Sequence, residues 1–306
     1  MRLVATFLIV ALLGAGQTPP PVAVLNEAPK DPAATQQPAV EWVCPMDKDV
    51  RSNAPGFCPR CGMKLVPGIP DEREYRLQLL TTPASLRANE NVRLDFHVQD
   101  PDTLQAVREF EIMHERLYHL FLVSQDMNFF VHTHPEMQPD GSFRLDTRFP
   151  HPGLYRILSD FYPKGGTPQL IAKTVVVPGE GFKLAPPKLQ TDLNPQESEN
   201  LKVQLVMEPP QPLAGYKTMM FLKLTPNDGI EPYIGAMGHM LAASSDLIDM
   251  IHTHPIYVTD PEEGAYKQIQ FNIIFPREGM YRVWIQFQRK GVVNTVAFNI
   301  PVSTLQ

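Results

Sequence analysis

The chain is predicted to be mainly β, with two tandem β-sandwiches following a small cysteine module, and three observations carry that expectation. Thirty-two of its 306 residues are proline, too many for long helices. Residues 92–98 (Val-Arg-Leu-Asp-Phe-His-Val) and 281–287 (Tyr-Arg-Val-Trp-Ile-Gln-Phe) alternate apolar and polar side chains, as half-buried strands do. A set of residues also repeats at a fixed offset. His119, Ser124, Asp126, His132, Thr133, His134 and Pro135 recur 120 positions later as His239, Ser244, Asp246, His252, Thr253, His254 and Pro255. Phe149, Pro150, Gly153 and Tyr155 recur 126 positions later as Phe275, Pro276, Gly279 and Tyr281, so six residues are inserted in the second unit, between Val258 and Gly264.

Residues 1–16 read as a secretory signal: Arg2, an apolar stretch over 3–13, then Gly14, Ala15 and Gly16. That stretch is shorter than the ~20 residues a membrane span needs. The expectation is an exported protein, periplasmic or secreted, touching a membrane only through an uncleaved signal. Residues 17–40, rich in Pro, Ala and Gln without apolar periodicity, read as a disordered tether. The cysteine module follows at 41–68. Residues 71–178 and 200–304 form the two repeats, each near the ~100 residues of an immunoglobulin-like sandwich. Between them, 179–199, with Pro186, Pro187 and Pro195, reads as a linker.

The net charge of −6, from 27 Lys and Arg against 33 Asp and Glu, argues against nucleic acid as a partner, which needs clustered cations. No Ser-His-Asp order, paired carboxylates or phosphate loop is present, so no catalysed reaction is expected.

Metal chemistry is carried by cysteine and histidine. All three cysteines, Cys44, Cys58 and Cys61, fall in one short segment, and an odd number leaves a thiol over if disulfides form. Cys58-Pro-Arg-Cys61-Gly has the form of a knuckle that presents two thiolates to one ion, with Cys44 as a third. A disulfide from Cys44 to Cys58 or Cys61 is the alternative. Six of the nine histidines form two copies of a pattern in which His119 precedes the pair His132 and His134, and His239 precedes His252 and His254. Residues i and i+2 of a strand share a face, so each pair can close on one ion, with the upstream histidine as third ligand. Three neutral imidazoles suit Cu(II), Zn or Ni. His97, His114 and His151 have no histidine at the equivalent position and are expected at the surface or in packing. Asp126 and Asp246 are expected to cap turns, although either could add an oxygen ligand. Met237, Met240 and Met250 are expected to fill core, with a thioether role as the alternative.

At Cys44-Pro45-Met46, Pro55-Gly56 and Cys58-Pro59-Arg60-Cys61-Gly62-Met63 the segment resembles the zinc-ribbon-like heavy-metal-binding domain found beside copper and silver efflux adaptors and in some metal-transporting P-type ATPases. That family has His-Pro where this chain has Asp47 and Lys48. The resemblance implies that Asp47 replaces the imidazole, which favours Zn, or that Met46 does, which favours Cu(I). The repeats resemble immunoglobulin-like domains of exported copper-resistance and cupredoxin-like proteins. That likeness rests on the His-Leu-Phe-Leu-Val-Ser-x-Asp run with its following His-x-His-Pro, and on Phe-Pro-x-Pro-Gly-x-Tyr-Arg at 149–156. It implies that His119 and His239 lie on one strand and the His-x-His pairs on its neighbour. The expected function is binding of copper or zinc ions for sequestration, delivery to an efflux partner or resistance. A metalloenzyme with open three-histidine sites and a metal-free structural sandwich are the alternatives.

Overall fold

The structure is a computed structural model that describes residues 42–44, 46, 50–67, 74–182, 184–258 and 268–305. The expected signal, the tether, Asp47 and most of the insertion lie outside the described residues. Among those residues every regular element is a strand.

Each repeat is a pair of antiparallel sheets. In the first, the outer sheet runs Arg76–Thr82, Asn91–Gln99, Phe143–Arg148, Glu136–Met137, and the inner runs Gln169–Val177, Gly153–Phe161, Tyr118–Ser124, Phe130–Thr133. The second repeats this plan. Its outer sheet runs Gln196–Glu197, Lys202–Glu208, Lys217–Thr225, Gln268–Ile274, Tyr257–Val258. In its inner sheet Gly279–Arg289 lies between His239–Ser244 and Val292–Val302, with Met250–Thr253 at one edge. Tyr155 donates its hydroxyl hydrogen to the carbonyl four residues upstream at 2.8 Å, and the Tyr281 hydroxyl is shared between the equivalent Arg277 carbonyl at 3.2 Å and Asp249 Oδ2 at 3.0 Å. This corner accounts for the repeated Pro-x-x-Gly-x-Tyr spacing.

Outer strands behave as the alternation predicts. Asn91–Gln99 buries Val92, Leu94, Phe96 and Val98 and turns the residues between them outward. Inner strands differ, because every residue of Tyr118–Ser124 and of His239–Ser244 is buried. The period of two explains how. Tyr118, Leu120 and Leu122 enter the core of repeat 1, while Phe121 and Val123 enter a separate apolar cluster with Leu241, Ala243, Leu247, Met250 and Trp284 of repeat 2. The two sandwiches thus pack inner sheet against inner sheet. Trp284 lies in this seam and stacks on Phe130 at 4.9 Å with 7° between planes. Trp284→Ala is expected to cost roughly 3–5 kcal/mol, the usual penalty for emptying a buried large aromatic site. A denaturant titration checks it: a change below ~1 kcal/mol would mean that the seam is not a core.

The segment read as a linker is partly built into the fold. Leu189 packs on the seam, Asp192 pairs through its backbone with Asn299, and Gln196–Glu197 is an edge strand of repeat 2. The cysteine module is a three-stranded sheet of Trp42–Val43, Arg51–Ser52 and Val66–Pro67. It rests on repeat 1, since Cys44, Cys58, Cys61, Met63 and Leu65 share one buried cluster with Met113 and Tyr162.

Candidate metal centres

In the module, Gly62 N–H donates to the Cys58 carbonyl at 2.8 Å and Cys58 N–H to the Met63 carbonyl at 2.6 Å, closing the turn that carries both thiols. Gly62 sits at φ 74°, which a side chain resists. Cys44, Cys58 and Cys61 are buried thiols, not disulfide-bonded, with sulfurs within 4.8 Å of one another and Cys44 to Cys61 at 3.4 Å. The disulfide alternative is therefore not what the structure shows. Burial raises the Cys58 pKa, and a cation among the sulfurs would reverse that by favouring thiolate. Met46 is half-buried against this cluster.

The histidines gather at one end of the seam between the repeats. By the same alternation that sends Phe121 and Val123 there, His119 projects into the seam, as does His239 beside Leu241 and Ala243. His132 and His252 lie on the neighbouring strands, paired opposite Phe121 and Leu241, and His134 and His254 follow just past the strand ends. Within repeat 1, His119 Nδ1 lies 3.1 Å from His132 Nε2 and 3.3 Å from His134 Nε2. Within repeat 2, His254 Nε2 lies 3.1 Å from His239 Nδ1. Nitrogens bound to one ion at ~2.0–2.1 Å stand about this far apart.

The sets are not confined to single repeats. Ligand-competent nitrogens of His119, His132 and His239 fall within 4.8 Å of one another, as do those of His239, His252 and His254. His239 belongs to both. Sequence reasoning expected one centre per sandwich, whereas the sandwiches face each other and merge the two. His114, expected at the surface or in packing, packs its ring against His254 of the other repeat, with centroids 3.7 Å apart and planes tilted by 31°. His97 and His151 stand outside the cluster, with His151 near Asp126 at 3.8 Å. Asp126 and Asp246 accept from Ser124 and Ser244 and from backbone N–H groups of their own turns, so they cap. Met237 and Met240 pack with the core of repeat 2, and Met250 with the seam.

Four groups that sequence reasoning missed orient these rings. A carbonyl can only accept, so His119 Nε2–H must donate to Met113 O (3.0 Å) and His239 Nε2–H to Tyr233 O (2.8 Å), leaving both Nδ1 atoms as lone pairs. Gln286 donates its amide N–H to Thr295 Oγ1, and in that orientation its oxygen accepts from His132 Nδ1–H at 2.8 Å, which leaves His132 Nε2 as a lone pair. Asp160 takes His252 Nδ1–H at 2.6 Å. His252 Nε2 is buried with no hydrogen-bond partner, as is His254 Nδ1. A signal existed: Met113 and Tyr233 are 120 residues apart, Asp160 and Gln286 are 126 apart, and these are the repeat's own offsets.

Lone pairs of His119 Nδ1 and His132 Nε2 therefore oppose each other across 3.1 Å inside an apolar seam. A cation between them would satisfy both, and a proton is disfavoured. Desolvation pushes the pKa of His119 down to about 4 and those of His132 and His134 to about 3, and it holds His239, His252 and His254 well below the ordinary histidine range. A metal cation fits this donor set, with its outer nitrogens already tied to oxygen acceptors, as metal-bound imidazoles usually are. Burial raises Asp160 to about 7, and a cation at His252 Nε2 would favour that carboxyl as the anion.

This architecture defines a tandem β-sandwich protein with an appended cysteine module. The chain belongs to the family described as domain of unknown function DUF8832, matched twice, at residues 71–179 and 196–304. Residues 41–67 match the heavy metal binding domain. No curated protein matches the chain. Among solved structures it is similar to the Escherichia coli adhesin FdeC (13% identity, 79% of this chain and 69% of that chain, TM-score 0.25). It is also similar to titin A168–A169 (11%, 76% and 98%, TM-score 0.20) and red sea bream transglutaminase (11%, 76% and 32%, TM-score 0.24). At these scores the likenesses add nothing to a functional argument.

Proposed function

We propose that this is an exported heavy-metal-binding protein, with copper as its principal metal and zinc as an alternative, acting in sequestration or delivery to an efflux partner. Cys44, Cys58 and Cys61 would hold one ion, with Met46 or Asp47 completing the set. The seam would hold further metal through His119, His132, His134, His239, His252 and His254. The observation that carries this reading is the pair of opposed lone pairs between His119 and His132, whose outer nitrogens are already committed. Soft thiolates suit Cu(I) or zinc and imidazoles suit Cu(II) or zinc, so one chain offers copper a site in either oxidation state.

The metal-free sandwich is disfavoured by cost. Without metal, His252 Nε2 and His254 Nδ1 stay buried and unpaired, at roughly 1–3 kcal/mol each. Metal analysis of the full chain tests the reading. Purified protein loaded with copper or zinc is expected to retain metal in both places, and Cys58→Ser with Cys61→Ser is expected to remove one equivalent while leaving the histidine-bound metal. Retention at background level in the unsubstituted chain would overturn it.

A further inference from the structure

The orienting contacts cross between the repeats reciprocally. His132 of repeat 1 is held by Gln286 of repeat 2, and His252 of repeat 2 is held by Asp160 of repeat 1. Positions 132 and 252 are equivalent, as are 160 and 286, so residue i meets j and j meets i, the signature of an isologous, two-fold contact. Each centre therefore borrows its geometry from the opposite sandwich. Ring centroids across the seam are 5.8 Å apart for His119 and His239, 5.2 Å for His132 and His239, 5.6 Å for His119 and His252, and 6.0 Å for His132 and His252. Such spacings leave no protein layer between two ions.

Charge decides what else the seam must contain. Six neutral imidazoles and Asp160, the carboxylate hydrogen-bonded to His252, cannot offset two divalent ions, and uncompensated charge in an apolar interior is strongly disfavoured. Three imidazoles per ion also leave a coordination position open. One small anion shared by both ions fills an open position on each and lowers the excess charge. Access is limited to something small: the His252 side chain is 1% exposed, while His132 and His134 are half-buried.

We propose that the six histidines form one dinuclear copper centre across the pseudo-two-fold seam, with its two ions bridged by a small anion, hydroxide in the resting protein. This rests on the metal-binding reading above. Asp160 and Gln286 make the halves unequal, because a carboxylate partner raises the basicity of His252 where an amide only orients His132. The centre is a site for small bridging ligands of the azide and hydroxide class.

The test uses the full chain with Cys44, Cys58 and Cys61 changed to serine, titrated with Cu(II). The expected result is two coppers retained per chain with almost no EPR signal, full intensity returning on acid unfolding, and one azide bound per copper pair. Recovery of the signal separates coupled Cu(II) from Cu(I). Saturation at one copper, or two coppers with undiminished independent signals, would overturn the dinuclear centre and leave metal binding standing. Failure to retain any copper would overturn the histidine centre altogether and leave only the thiolate site of the reading above. The unsubstituted chain gives a second readout: copper X-ray absorption should show a copper neighbour at roughly 3.5–4 Å, the spacing of two-metal sites, and its absence would equally contradict the proposal.

Discussion

His239→Ala is expected to cost the histidine centre at least one of its ions while the thiolate site stays loaded. His239 Nδ1 is common to both ligand-competent sets; with one lone pair it serves one ion, so its loss takes a ligand from that ion and removes the overlap of the sets across the seam. Loss of an orienting partner alone typically weakens a metal site by about 10–100-fold, so loss of a shared ligand should exceed ~100-fold. His134→Ala should do less, because His134 approaches His119 alone at hydrogen-bonding distance and belongs to neither set. Competition titration with a chelator of known affinity measures the difference, with Cys58→Ser, Cys61→Ser as background. Near-ultraviolet circular dichroism should confirm that the seam persists, since the substitution also leaves the Tyr233 carbonyl without its histidine donor, at roughly 1–3 kcal/mol. Equal, modest effects of the two substitutions would mean that His239 is not shared.

Acidification should release metal and also weaken the metal-free fold, and the sign follows from the pKa shifts. Burial lowers His119, His132, His134, His239, His252, His254 and His114 in the folded chain, so between about pH 4 and the unfolded value of ~6.5 the unfolded chain binds more protons. Stability supplied by these groups is present above ~6.5 and drains as pH falls, by up to ~1.4 kcal/mol per pH unit for each fully buried ring and by less for His114 and His134. Asp160 works the other way: raised by burial to about 7, it favours the folded state at low pH and loses that contribution as pH rises from ~4 to 7. Seven histidines outweigh one carboxyl, so the net slope is loss on acidification. Denaturant midpoints of the metal-free chain at pH 5 and 7.5 check this. An unchanged or higher midpoint at pH 5 would show that the rings are not buried neutral.

Much of this was legible before any coordinates. The repeat, the β class and the two three-histidine patterns follow from spacing alone, because a strand's period of two and a duplicated offset are properties of sequence. The merger of the two patterns was not legible, since which faces of two sandwiches meet is decided by long-range packing. A trace of it existed in Tyr118–Ser124, where His-Leu-Phe-Leu-Val is apolar on both faces and so has two partners to find. His114 escaped for a different reason. Its partner, His254, lies in the other repeat, and comparison of equivalent positions detects duplication but not contact.

The central claim is that imidazoles of both sandwiches surround the same metal, and anomalous diffraction from copper-loaded crystals tests it most directly. The account predicts anomalous peaks inside the seam, at coordinating distance from His119 Nδ1 and His132 Nε2 and from His239 and His252. Peaks confined to the cysteine module, or lying outside the seam with these rings unliganded, would contradict it.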